Sequence, residues 1–133
     1  MTSSFDIRSE SFSKILNENS SVEHIATGFG FTEGPIWVNG HLLFSDIPNS
    51  RIVRYDVEEE GASVSTYRYP SGNSNGLTLD QNGNLIACEH TNRRVSVTDS
   101  SGNIKAIASR YKGKRLNSPN AVSYTHLTLP PQA

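Results

Sequence analysis

An all-β fold of repeated four-stranded units is what this sequence predicts, on three observations. Residues 39–46, Asn-Gly-His-Leu-Leu-Phe-Ser-Asp, align without a gap on residues 82–89, Asn-Gly-Asn-Leu-Ile-Ala-Cys-Glu. The same offset carries Arg51-Ile52-Val53-Arg54-Tyr55-Asp56 onto Arg94-Val95-Ser96-Val97-Thr98-Asp99, a repeat of about 43 residues. No segment after Val22 shows the apolar spacing of a helix, whereas several show runs of β-branched and aromatic residues.

Each unit resolves into short strands. Residues 34–38 lead into Asn39-Gly40, a pair that favours a tight hairpin because both positions accept positive φ. Residues 42–45 read as a second strand, 46–50 with its proline as a loop, 51–55 as a third strand and 63–69 as a fourth. The second unit follows with 77–79, 84–88, 94–98 and 104–108. Four short strands at this period are the signature of a β-propeller blade. A single four-stranded sheet cannot bury both of its faces, so blades stack side by side around an axis. The chain holds about two blades plus the start of a third. Ahead of them, residues 1–21 are rich in Ser, Asn and charge, and Phe5, Phe12, Ile15 and Leu16 would allow a short amphipathic helix.

Twelve Lys and Arg stand against thirteen Asp and Glu, a net charge of −1. Near-neutrality removes any general electrostatic case for nucleic acid or an anionic membrane as partner. Two short basic clusters, Arg93-Arg94 and Lys112 to Arg115, read as charged turns. The single cysteine, Cys88, has no internal disulfide partner and sits in an apolar run where a buried thiol is usual. A nucleophile made with His90 would need an orienting group that the neighbourhood lacks. The first ten residues lack the apolar core of a secretory signal, and no run reaches the roughly 20 apolar residues of a membrane span. The expected location is the cytoplasm.

Three ordered segments carry a family resemblance: Phe31-Thr32-Glu33-Gly34-Pro35-Ile36-Trp37, Phe44-Ser45-Asp46-Ile47-Pro48-Asn49, and Lys114-Arg115-Leu116-Asn117-Ser118-Pro119-Asn120. With Asn75-Gly76-Leu77-Thr78, Cys88-Glu89-His90 and Arg93-Arg94-Val95 between them, residues 22–120 resemble the SMP-30/gluconolactonase/luciferin-regenerating family, in its bacterial gluconolactonase-like branch. The resemblance implies a six-bladed propeller with one divalent cation, most often Ca²⁺, in its central tunnel. It implies hydrolysis of a sugar lactone to the aldonic acid. A related phosphotriesterase or arylesterase, or a non-catalytic propeller scaffold, are the rival readings. Glu33 is similar to the family's glutamate metal ligand and Asn120 to its asparagine ligand. Arg115 lies in a loop from which relatives reach the substrate. The catalytic residues are expected in later blades outside this chain, which alone is expected to be inactive.

The residues support a metal reading beside the resemblance. Glu33 is expected just ahead of the first strand of its blade, with Asn75 and Asn120 at corresponding places in the next two. Successive blades would bring the three to one rim of the axis. Oxygen donors without Cys or His suit a hard cation rather than zinc. Asn75 and Asn120 are equally compatible with capping turns, as Asn beside Gly or Pro often does. Asn75 is assigned to the cavity lining or a water-mediated substrate contact. His90 is either a proton carrier or a loop residue bonded to its neighbours, and Trp37 is expected to pack between blades. Two open sheet faces are expected to offer Ile36, Leu43 and Leu85 to water. Residues 121–133 keep Val122 but lose the repeat, with no Asn-Gly or Asp-Gly turn near residue 126, and read as foreign sequence.

Overall fold

The computed structural model describes residues 5–17 and 19–123. Two four-stranded antiparallel meanders form it. The first runs β1 (Thr32–Val38), β2 (His41–Asp46), β3 (Arg51–Glu58) and β4 (Gly61–Arg68), each strand bonded to the next. The second repeats that order with β5 (Ser74–Leu79), β6 (Leu85–Glu89), β7 (Arg94–Thr98) and β8 (Ile104–Ala108). A two-stranded hairpin follows, β9 (Arg110–Tyr111) and β10 (Lys114–Arg115). These are two propeller blades, with β1 of the first lying against β5 of the second.

Turn chemistry sets the registers. Asn39 and Gly40 both take positive φ, 45° and 87°, and join Val38 to His41 in a tight hairpin. In the second blade the corners are held by aspartates. Asp80 Oδ1 accepts the amides of Asn82 and Asn84, and its Oδ2 accepts Asn84 Nδ2. Asp99 makes the same three bonds with Ser101 and Asn103. A carboxylate that takes up the free amides of a turn replaces the ladder bonds the turn interrupts.

The core lies between the blades. Leu43 and Ile52 of the first meet Leu77, Leu85 and Ala87 of the second, with Ile36, Val38 and Leu79 packed around them. Leu43 and Leu85, expected on open faces, are therefore buried, at 1% and 2% exposure. Ile36 is half-buried against the same cluster. The expectation failed because neighbouring blades consume each other's apolar faces first. The faces left open carry other residues. Trp37, expected between blades, is 58% exposed on the side of β1 away from the second blade.

Glu33 lies within β1, opposite Ser45, rather than ahead of the strand. The amphipathic helix shrinks to one turn, Glu10–Ser13, capped by Ser9 Oγ and burying nothing. Phe12 and Ile15 stay exposed because no apolar surface lies beneath them. The β9–β10 hairpin was not anticipated; Lys112-Gly113 supplies its positive-φ corner. Of the tail at 121–133, residues 124–133 lie outside the described residues.

Candidate functional site at one rim of the blades

The ends of the strands define the rim. The start of β1 pairs with the end of β2, and the start of β5 with the end of β6. Both blades present this end to the same side. Asn73, just before β5, donates through Nδ2 to Ile47 O in the first blade's loop at 2.7 Å and accepts Thr91 Oγ1 of the second at 2.6 Å. Ser45 Oγ and Ser74 Oγ lie 3.0 Å apart, and Ser45 Oγ donates to Asn75 O at 2.8 Å. This polar seam is buried, which holds the rim ends of the inner strands against each other.

Glu33, Asn75 and Asn120 stand at this rim, and glycines explain how closely their backbones approach. Both inner strands bulge at the same place, at Glu33-Gly34 and at Asn75-Gly76. A Cβ on Gly34, whose φ is +59°, would lie 2.3 Å from Asn75 O. A Cβ on Gly76 would lie 2.8 Å from Asn120 O, to which the Gly76 amide also donates at 2.8 Å. No other residue type fits at Gly34 without displacing the neighbouring strand. The three backbones thus form one row of contacts, Glu33-Gly34 to Asn75-Gly76 to Asn120.

Their side chains are not joined by hydrogen bonds. Glu33 is exposed and lines an apolar hollow with Phe29, Pro35, Leu42 and Phe44. Asn75 is buried at 7% exposure, yet among the described residues its carboxamide makes no hydrogen bond. Asn120 is exposed and bonds only through its backbone. Neither asparagine side chain caps a turn. Arg115 sits in β10 with Nη2 on Asn92 O at 3.0 Å, so its guanidinium is tied to the loop after β6. His90 uses only its backbone here, accepting from Arg93 N and Ser118 Oγ. Cys88 is fully buried in β6, and burial pushes its thiol pKa up, away from a reactive thiolate.

Sequence reasoning missed a repeated ionic staple beside the row. In the first blade Asp46 is fully buried and takes Asn49 Nδ2 at 2.8 Å, Arg51 Nε at 2.9 Å and the Gly30 amide at 2.9 Å. Glu89 repeats the arrangement with Asn92 and Arg94, and adds Arg68 from the first blade at 2.6 Å. The signal lay in the repeat itself, since one offset aligns Asp46 with Glu89, Asn49 with Asn92 and Arg51 with Arg94. Burial alone would raise the Glu89 pKa. Hydrogen bonds from Arg94, Asn92 and Arg68 outweigh it and hold the value near about 2. Asp46 is lowered for the same reason, burial being outweighed by Asn49, the Gly30 amide and Arg51.

The family model of the SMP-30/gluconolactonase/LRE-like region matches residues 31–126. The chain belongs to that family. A gluconolactonase of Zymomonas mobilis is 32% identical over 127 residues, covering 84% of this chain and 35% of the relative. An X-ray structure of a protein assigned as a gluconolactonase aligns with a TM-score of 0.76 at 33% identity, over 86% of this chain and 39% of that one. A Xanthomonas campestris gluconolactonase aligns with a TM-score of 0.63 at 33% identity, over 70% of this chain and 31% of that one. The chain thus spans about a third of the length of these gluconolactonases.

Proposed function

We propose that this chain supplies two blades of a metal-dependent sugar-lactone hydrolase, the cation being Ca²⁺. One observation carries the metal reading: three oxygen donors, Glu33, Asn75 and Asn120, stand on adjoining inner segments with no protein partner for their side-chain oxygens among the described residues. Such groups need water or a ligand. Among the described residues no three His, Cys, Asp or Glu side chains cluster. One carboxylate among neutral amides fits a hard, oxygen-seeking ion and lacks the imidazole or thiolate that zinc favours.

In this reading Glu33 and Asn120 hold the cation, and Asn75 and Arg115 contact the hydroxyls of the sugar. When bound, the cation would polarise the lactone carbonyl and stabilise charge on its oxygen. Glu33 supplies the negative charge that sets affinity, and the buried Asn75 fixes the substrate's orientation from a rigid strand. Relatives named as gluconolactonases support a lactone as substrate. Isothermal titration with CaCl₂ tests the assignment. Glu33→Gln should weaken calcium binding about ten-fold or more, since it removes the one charged ligand. Unchanged affinity in that variant overturns the site.

A further inference from the structure

Charge is segregated between the two rims. On the rim opposite the site stand Glu58, Glu59 and Glu60 in the β3–β4 corner, with Asp80 and Asp99 in the corners of the second blade. On the site's rim, Asp46 and Glu89 are buried and already neutralised by Arg51, Arg68 and Arg94. That rim also carries Arg93, Arg110, Lys112, Lys114 and Arg115. Among the described residues none of these five pairs with a carboxylate. No acidic residue follows Asp99 in the sequence.

The cations are mounted on a built element. The β9–β10 hairpin is closed by Arg110 Nη1 on Gly113 O at 3.0 Å and by the Leu116 amide on Ser109 O at 2.9 Å. Arg93 Nε reaches Leu116 O at 2.7 Å and Arg115 Nη2 reaches Asn92 O, which pin the hairpin to the loop after β6. Lys112 Nζ lies 5.4 Å above the Tyr111 ring, and Lys114 has no partner among the described residues. A hollow of about 410 Å³ is lined by Tyr111, Lys112, Lys114, Arg115, Leu116 and Asn117. From it the chain runs directly to Asn120 and the inner strands.

We propose that the site takes a sugar derivative bearing an anionic group, phosphate or carboxylate, and that the β9–β10 hairpin reads that group. This rests on the lactone reading and narrows it to acidic sugar lactones. A fixed positive rim opposite a negative one concentrates anions at the site's mouth, and Lys and Arg without carboxylate partners keep charge and donors for them. Glu33, an acid of this rim, is assigned to the cation and so does not cancel the field.

Nitrogen-15 amide titrations of the 133-residue chain test this with 6-phosphogluconate, glucarate and neutral sorbitol. Both anions should shift the amides of residues 109–116 with an affinity at least about ten-fold above sorbitol, falling steeply between about 50 and 500 mM salt. A preference for 6-phosphogluconate over glucarate that persists at about 500 mM salt identifies phosphate as the group read; a preference lost at that salt identifies charge alone. Lys112→Gln with Lys114→Gln should lower the anion affinity about ten-fold, with unmoved resonances for Leu43 and Leu85 showing an intact fold. Equal affinity for all three probes, insensitivity to the double substitution, or a preference for duplex DNA overturns the proposal. Calcium affinity unchanged in Glu33→Gln, together with a salt-sensitive, lysine-dependent anion site, would remove the metal reading and leave this one standing.

Discussion

At the scale of single residues, Glu89 bears the largest electrostatic demand. It is fully buried, accepts from Arg68, Arg94 and Asn92, and is, among the described residues, the only carboxylate bonded by side chains of both blades. Removing it strands the Arg68 guanidinium, whose side chain is 8% exposed. Breaking one partner of a buried pair costs about 3–5 kcal/mol. Glu89→Ala should therefore lower the unfolding free energy by about that amount in urea, whereas Asp6→Ala, in an exposed pair, should change it by less than about 0.5 kcal/mol. The pH dependence has a definite sign. A depressed folded-state pKa contributes stability that is full above the unfolded value and is lost as pH falls. For Glu89 that loss runs from about 4.5, its ordinary value, down to about 2. Urea midpoints measured from pH 6 to pH 2 should fall through this window, and the fall should shrink in Glu89→Gln. A flat profile would mean that the network contributes nothing.

At the scale of strands, the bulged glycines of β1 and β5 decide how near the ligand candidates stand. Gly34→Ala places a methyl 2.3 Å from Asn75 O in a left-handed backbone, and β5 must move to admit it. Gly83 has a similar φ, +78°, with nothing near its Cβ, so Gly83→Ala isolates the conformational cost. That cost is about 1–2 kcal/mol. Gly34→Ala should exceed it by at least about 2 kcal/mol in the same urea measurement, the excess being the clash between strands. Equal losses would show that the blades separate freely. This scale also shows what the sequence made legible. The eight blade strands could be read because alternation, Asn-Gly corners and the repeat all report on local geometry. The β9–β10 hairpin escaped notice because its two-residue strands carry no period. The row of Glu33, Asn75 and Asn120 was legible through recurrence at blade spacing, but the glycine contacts that close it depend on strands far apart in sequence. Arg68 gave no signal at all, since only tertiary packing brings it to Glu89.

At the scale of the whole molecule, the two blades bury one interface and leave two outer faces open. Ile25, Phe31 and Trp37 are exposed on or beside the first blade, and Ile104, Ile107 and Tyr111 on the second and its hairpin. Every residue of β8 is exposed. Each apolar Å² left in water forgoes roughly 25 cal/mol, against a typical total stability of only about 5–15 kcal/mol. Blade repeats draw their stability from neighbours, so open terminal faces favour association. The candidate metal row is similarly sparse. Glu33, Asn75 and Asn120 offer four side-chain oxygens and one charge, where calcium takes about 6–8 oxygen ligands. Water can complete the shell but adds no charge, and Asp46 and Glu89, the buried carboxylates of this rim, are held in their staples. Glu33 cannot both hold a cation and activate water. The 133-residue chain assayed alone with calcium on gluconolactone, corrected for spontaneous hydrolysis, should therefore show no saturable turnover. It should also bind a hydrophobic dye and sediment as more than a monomer at high concentration. Saturable turnover from a species that sediments as a monomer would show that these blades carry a complete site, and that a carboxylate outside the staples does the chemistry.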